Sequence, residues 1–367
     1  MNVLVVFGTR PEAIKLAPVI SELRRRPRLS VRVVTTAQHR ELVDQVLSAF
    51  AIVPDVDLRV MRPQQTLAEL SGRVLVAMDE MLTADPPGLV IVQGDTTSAF
   101  ICGLAAFYRG VRVAHVEAGL RTDSPTNPFP EEMNRRLTST LTSVHFAPTV
   151  RARDRLLAEG FAGDSVFVTG NTVVDALLQI RESEAYRQAR HRVGATNGER
   201  LLLVTLHRRE SWGPALAGMC RALKAIADAY PGVRIVIPVH PNPAVRQIVH
   251  EHLDHVPRVS LVEPLEYMDF IAMLDASWLV LTDSGGVQEE APALGRPVLV
   301  LRETTERPEA VECGAARLVG TNPDAIVRAA RELLDNPAER DRMARPVSPF
   351  GDGQASRRIA DIIESRM

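Results

Sequence analysis

Leu279-Val280-Leu281-Thr282-Asp283-Ser284-Gly285-Gly286-Val287-Gln288-Glu289-Glu290-Ala291 reads as an apolar strand, a turn of one serine and two glycines, and the opening of a helix. A strand that feeds a helix through so short a turn is the repeating step of a parallel sheet with crossover helices. The turn also has a chemical reading. Ser284, Gly285 and Gly286 present backbone N–H groups at the positive end of a helix, and a diphosphate fits there. Glu290, a helical turn further on, is placed to reach a ribose.

The same alternation runs outward in both directions. Toward the C-terminus come strands at Pro297–Leu301 and Arg317–Val319; toward the N-terminus come Val259–Val262, Val233–Val239 and Leu201–Leu206. Helical periodicity fills the gaps at Pro214–Tyr230, Ala244–Leu253 and Gly286–Leu294. Beyond a polar stretch, Arg181–Arg200, which reads as a linker or a bridging surface helix, a second set begins. Its strands are Val3–Phe7, Val31–Thr35, Leu89–Val92, Val111–His115 and Val166–Thr169, with helices at Ala13–Arg25, Glu41–Phe50 and Leu67–Leu82. Two doubly wound α/β domains in tandem follow. Ligands in such sheets bind beyond the carboxyl ends of the strands, and the crevice between two such domains is the favoured place.

Composition agrees and excludes much else. A chain of 367 residues matches two domains of the usual size, about 100–200 residues each. With 43 basic and 45 acidic residues the net charge is −2, so nothing marks a nucleic-acid binder. Only Lys15 and Lys224 are lysines, which makes a retained lysine of interest. Cys102, Cys220 and Cys313 have no paired spacing, so no disulfide framework or thiolate metal site is expected. The first residues run straight into a strand with no basic leader, and apolar stretches such as Phe100–Tyr108 fall short of the ~20 residues of a membrane span. No membrane association and a cytoplasmic location are expected.

The strand ends carry the chemistry. After Val3–Phe7 comes Gly8-Thr9-Arg10-Pro11-Glu12-Ala13-Ile14-Lys15, which is neither a dinucleotide fingerprint nor a Walker loop. Asp95 follows Leu89–Val92 and is placed to cap the next helix. Glu117 stands directly at a strand end, where a glutamate caps poorly. Glu131, after two prolines, reads alone as an acid complementing a helix dipole. Together the three put carboxylates at one rim of one domain, as proton chemistry needs. In the second half His207 and His240 each end a strand and suit a phosphate, and Arg307 precedes a proline-started helix. His250, His252 and His255 lack helical metal-ligand spacing, and Arg24-Arg25-Arg26 closes a helix, so neither is a site.

These motifs resemble the non-hydrolysing UDP-N-acetylglucosamine 2-epimerases. The matching stretches are Phe7-Gly8-Thr9-Arg10-Pro11-Glu12-Ala13-Ile14-Lys15, Thr36-Ala37-Gln38-His39-Arg40, Gly94-Asp95-Thr96-Thr97 and His115-Val116-Glu117-Ala118-Gly119-Leu120-Arg121-Thr122. The second half adds His207-Arg208-Arg209-Glu210, Asp283 to Ala291, Thr304-Thr305-Glu306-Arg307-Pro308-Glu309 and Gly351-Asp352-Gly353-Gln354.

The resemblance implies a glycosyltransferase-B-like fold, two Rossmann-like domains facing a central cleft with a last helix, Arg357–Arg366, crossing back to the first. The domains would be 1–170 plus 354–367 on the sugar side and 171–353 on the UDP side. It implies a homodimer that interconverts UDP-GlcNAc and UDP-ManNAc without NAD or metal, by eliminating UDP to 2-acetamidoglucal and adding it back. The resemblance leaves open whether the product feeds polysaccharide biosynthesis at the envelope, a teichoic-acid linkage or an aminosugar natural product. Nucleotide binding would fall to Arg10, His207, Ser284, Gly285, Gly286, Glu290 and Arg307, with Phe270 near the uracil. Catalysis and sugar binding would fall to Lys15, Asp95, Glu117, Glu131 and Arg135, with His207 also catalytic. Some members bind a second UDP-GlcNAc as activator around Gln38 and His39 with Arg208 and His240; where regulated bacterial members carry an arginine, this chain has Gln64. Other readings of the same residues are a retaining glycosyltransferase of the same fold, a hydrolysing epimerase releasing ManNAc and UDP, and a nucleotide-sugar-binding regulator without chemistry.

Overall fold

The computed structural model describes residues 1–36, 46–62, 64–122, 124–193, 198–208, 211–345 and 349–366. The chain divides into two compact units, Met1–Gln179 with Phe350–Met367, and Ile180–Pro349.

Unit 1 is built on one sheet of β1 (Asn2–Phe7), β2 (Ser30–Thr35), β3 (Val56–Asp57), β4 (Leu89–Gln93), β5 (Arg112–Val116), β6 (Val144–Ala147) and β7 (Val166–Val168). All pairs are parallel, in the order β3-β2-β1-β4-β5-β6-β7. Helices α1 (Arg10–Arg24), α2 (Leu67–Ala84), α3 (Thr97–Tyr108), α4 (Glu131–Leu141), α5 (Val150–Ala158) and α6 (Thr172–Arg181) connect them. Val3 to Phe7 are buried without alternation, as expected of a strand covered on both faces. Val6, Val34, Val90 and Val92 share one apolar core with Leu70, Val74 and Met78 of α2 and Cys102 and Ala105 of α3.

Unit 2 begins with α7 (Glu184–Val193) and repeats the plan with β8 (Arg200–Thr205), α8 (Pro214–Ala229), β9 (Val233–Pro238), α9 (Pro243–Leu253), β10 (Val259–Val262) and α10 (Tyr267–Ala276). It continues through β11 (Leu279–Thr282), α11 (Val287–Ala293), β12 (Val298–Val300), α12 (Pro308–Glu312), β13 (Ala316–Leu318), α13 (Pro323–Asp335) and α14 (Pro337–Met343). Its parallel order is β10-β9-β8-β11-β12-β13. In each sheet the order reverses once, between β1 and β4 and between β8 and β11. Such a switch point splays the two following loops apart and leaves room for a ligand.

After unit 2 the chain returns to unit 1 and ends in α15 (Ala355–Ser365), which packs on α1. Asp175 of α6 caps α15: its carboxylate accepts the N–H groups of Ala355 at 3.2 Å and Ser356 at 2.8 Å, and the Ser356 hydroxyl. At the other end Arg26 meets Asp361 at 2.6 Å.

Two readings of the sequence change, and a third is only partly covered. The polar stretch Arg181–Arg200 is not a linker. Its helix α7 packs in unit 2 on α10, where the Tyr186 hydroxyl donates to Asp275 and Arg190 to the Ala272 carbonyl. Strand β6 was not anticipated, because its four residues include a histidine and show no alternation; all four are buried. The helix expected at Glu41–Phe50 falls partly outside the described residues.

Candidate active site

The loops at the two switch points, with the helix starts that follow them, hold Arg10, Asp95, His207 and Ser284 to Gly286, while Glu117 lies one strand further on. In unit 1, Glu117 leaves β5 in the left-handed region, with φ +66°, a conformation costly for a side chain of its size. Its carboxylate is held from three elements. Lys15 of α1 donates its ammonium to Oε1, Asn171 donates Nδ2 to the same oxygen at 3.0 Å, and Gln93 at the end of β4 donates to Oε2. Donors on a carboxylate favour its anion. Neither Gln93 nor Asn171 was anticipated.

Asp95 sits in the next loop, close by. A Cβ added to Gly94, itself at φ +71°, would stand 3.7 Å from Glu117 Oε2. The Gly94 N–H donates to the Val116 carbonyl at 3.0 Å and the Gly94 carbonyl meets His115 Nε2 at 2.8 Å. Asp95 does not cap α3; Thr96 does, accepting the Ala99 N–H at 3.0 Å. Asp95 is therefore spared for another task, and Arg135 of α4 donates to its Oδ2 while Asn134 donates to its carbonyl at 3.0 Å. Below both loops lies buried Glu12. It accepts the N–H groups of Gly8 at 2.9 Å and Thr9 at 2.6 Å and the Thr96 hydroxyl at 2.6 Å, binding the loop before Arg10 to the loop after Asp95. Burial pushes its carboxyl up, against the pull of those bonds.

Glu131 opens α4, four residues before Arg135 and so on the same helix face. Its neighbour Glu132 is the structural acid. Glu132 is 0 % exposed and accepts the Thr122 N–H at 3.0 Å and Arg136 Nε at 2.7 Å. Glu131 is half-buried and makes no hydrogen bond or ion pair among the described residues. Arg10 is likewise half-buried at the start of α1.

In unit 2 the pairing of β8 with β11 aligns Thr205 with Thr282, so the residues after them are neighbours. His207 Nδ1 stands 2.8 Å from Asp283 Oδ1. The other oxygen of Asp283 accepts the N–H groups of His207 at 2.8 Å and Arg208 at 2.9 Å. Burial raises the Asp283 carboxyl, but the bond and charge of His207 with the two N–H donors outweigh it and leave it below the usual range. The carboxylate thus holds the Nδ1 side of the ring. His240 stacks on it, ring centroids 6.1 Å apart, and is held below its ordinary pKa by burial and by His207.

The glycine turn lies beside this pair. A Cβ on Gly285 would come within 3.1 Å of the Arg307 guanidinium, which would have to give way by a few tenths of an ångström, and into ordinary contact with Arg208 at 3.5 Å. The Ser284 N–H is taken by the Thr282 hydroxyl at 2.9 Å, so the turn offers the N–H groups of Gly285 and Gly286, not three. Gln288 braces the turn, donating to the Ser284 carbonyl at 3.1 Å and accepting from Thr305 at 2.6 Å. Arg307 is aimed by Glu289 at 2.9 Å. Burial would raise Glu306, but Arg307, Arg302 and Arg208 around it bring it down to about 2, so it stays charged among them. Glu290 is buried and accepts from the Tyr267 hydroxyl at 3.3 Å; Phe270 lies three residues on along α10. Among the residues expected to bind an activator, Arg208 and His240 sit against His207, while Gln38 and His39 lie outside the described residues.

Unit 1 thus offers fixed carboxylates for moving protons, and unit 2 a cationic turn for a diphosphate. Among the described residues no group of three or more His, Cys, Asp or Glu side chains forms a metal site, and no helix is long and apolar enough to cross a membrane.

A family model described as UDP-N-acetylglucosamine 2-epimerase matches residues 21–364. The UDP-N-acetylglucosamine 2-epimerase of Bacillus subtilis (strain 168) is 48% identical over 361 residues, covering 98% of this chain and 94% of that protein. A crystal structure of the UDP-GlcNAc 2-epimerase from Neisseria meningitidis bound to UDP-GlcNAc superposes with a TM-score of 0.96 at 44% identity, covering 100% of both chains. A glycotransferase of kitacinnamycin shares the fold alone, with a TM-score of 0.68 at 14% identity over 100% of this chain and 99% of that one.

Proposed function

The chain belongs to the UDP-N-acetylglucosamine 2-epimerase family, and from that premise we propose that it interconverts UDP-GlcNAc and UDP-ManNAc by inverting carbon-2 of the sugar. Carbon-2 has no neighbouring carbonyl carbon to stabilise a carbanion, so direct deprotonation by a carboxylate is too slow. Elimination avoids it. The anomeric C–O bond breaks, UDP leaves with the electron pair, and the carbon-2 proton passes to a carboxylate, giving 2-acetamidoglucal. UDP then returns to carbon-1 while a proton is delivered to the opposite face of carbon-2.

Unit 2 supplies what the leaving group needs. The Gly285 and Gly286 N–H groups, Arg307, and His207 held by Asp283 stabilise the charge that grows on the diphosphate oxygen. Unit 1 supplies the protons, with Glu117, Asp95 and Glu131 as the exchanging acids and bases. The observation that supports this reading is that the Glu117 carboxylate lies against the loop that bears Asp95, 3.7 Å from a Cβ placed on Gly94, while Lys15 holds Glu117 and Arg135 holds Asp95. We further place the enzyme in the cytoplasm as a homodimer, on the family resemblance; sedimentation of the purified protein checks the second point.

Incubation with UDP-GlcNAc alone in heavy water tests the reaction. Deuterium at carbon-2 of nucleotide-linked sugar is expected. A glycosyltransferase leaves the sugar unlabelled without an acceptor, and a hydrolysing epimerase releases free ManNAc with UDP.

A further inference from the structure

We propose that Asn171 is a positioning residue for Glu117, and that through it the segment re-entering unit 1 at Phe350 sets where that carboxylate lies. The proposal rests on the reading of Glu117 as a proton-transfer group. Asn171 is 2 % exposed and all its polar groups are committed. Its Nδ2 donates to Glu117 Oε1 at 3.0 Å, its Oδ1 accepts the Val173 N–H at 3.1 Å, and its own N–H donates to the Phe350 carbonyl at 2.5 Å. Turning the amide over would lose both side-chain bonds, so the donor can face only the carboxylate.

Among the described residues, Gln93 reaches Glu117 from β4 and Lys15 from α1, inside the sheet layers, whereas Asn171 comes from beyond β7. There two glycines let the outgoing and returning segments touch. Gly170 has φ +91° and Gly351 φ +139°; a Cβ on Gly351 would stand 3.2 Å from the Gly170 Cα and 3.4 Å from the Asn171 nitrogen. Any side chain there would push the segments apart and pull Asn171 with them. The Glu117 backbone is already in an unfavourable conformation, so its carboxylate depends on these outside bonds for its position. A displacement of about 1 Å in a reacting group costs about 10² in rate.

The test compares Asn171→Ala, Asn171→Asp and Glu117→Gln. Asn171→Ala removes the donor and is expected to lower kcat by about 10–10² with KM within about threefold. Asn171→Asp keeps the acceptor for the Val173 N–H, so the turn survives even if the alanine variant fails to fold. It replaces the donor by a second carboxylate, and the acid limb of the kcat–pH profile is expected to rise by about one unit. Wild-type kcat and an unmoved acid limb in Asn171→Asp overturn the proposal, as does a loss of kcat/KM carried wholly by KM. If Glu117→Gln itself turns over normally, the underlying reading of Glu117 fails; if it is inactive while both Asn171 variants are normal, only the positioning role fails.

Discussion

Glu131 and Glu132 are adjacent acids at one helix start, and nothing in their local sequence separates them. The structure does, because Glu132 is consumed by Thr122 and Arg136 whereas Glu131 is not. Glu131→Gln is therefore expected to keep the unfolding midpoint and lose about 10²–10⁴ in kcat, with UDP binding intact. Glu132→Gln leaves buried Arg135 and half-buried Arg136 poorly matched and should cost about 3 kcal/mol of stability, read by urea denaturation. Equal stability in the two variants would contradict this division of labour. Glu117 was legible from the sequence because a glutamate caps a helix badly. Of its donors Lys15 was anticipated but Gln93 and Asn171 were not: they lie 24 and 54 residues away in the chain, and a hydrogen bond across that distance leaves no local pattern.

At the scale of elements, the strand–turn–helix at Leu279–Ala291 was readable because its glycines and apolar run are contiguous. What surrounds the turn was not, since Arg208 and Arg307 reach it from separate loops. Gly285→Ala is expected to weaken UDP binding at least tenfold, about 1.4 kcal/mol by calorimetry, without lowering the thermal midpoint. Affinity within a factor of two of wild type would show that the guanidinium groups need no such approach.

The β5–β6 pair makes a second prediction. His115 and His145 face each other in register, and the His145 ring packs against Phe161 at 4.8 Å between centroids. Burial above all holds His115 down at about 4 and His145 at about 3, the latter with help from His115 itself. Unfolded histidines bind protons below about pH 6.5, so between there and about pH 3 the unfolded chain carries more protons and stability falls with pH. Each proton contributes a slope of about 1.4 kcal/mol per pH unit at its steepest. Denaturant midpoints at pH 7 and 4.5 should converge in His145→Phe relative to wild type; an unchanged gap would refute the assignment.

At the scale of the molecule, the doubling of one sheet order was evident from alternating strands and helices, while the short strand β6 and the packing of α7 were not, because neither shows a strong period. The first turn of the C-terminal helix is capped by one buried acid. Asp175→Ala removes every side-chain acceptor at its first turn and should lower stability by about 1–2 kcal/mol, measured by thermal unfolding. Because the proposed function assigns proton transfer to Glu117 and UDP binding to unit 2, Glu117→Gln should leave UDP affinity within about threefold of wild type.

Unit 1 is interrupted by the whole of unit 2, and α15, which covers α1, is made after it. During synthesis the N-terminal sheet therefore emerges first but must wait, one apolar flank of α1 bare, until Ala355–Ser365 has been made. The inserted half has all its strands and helices before then, and a released chain ending at residue 349 should show it protected from protease while the earlier-made half is still open to cleavage.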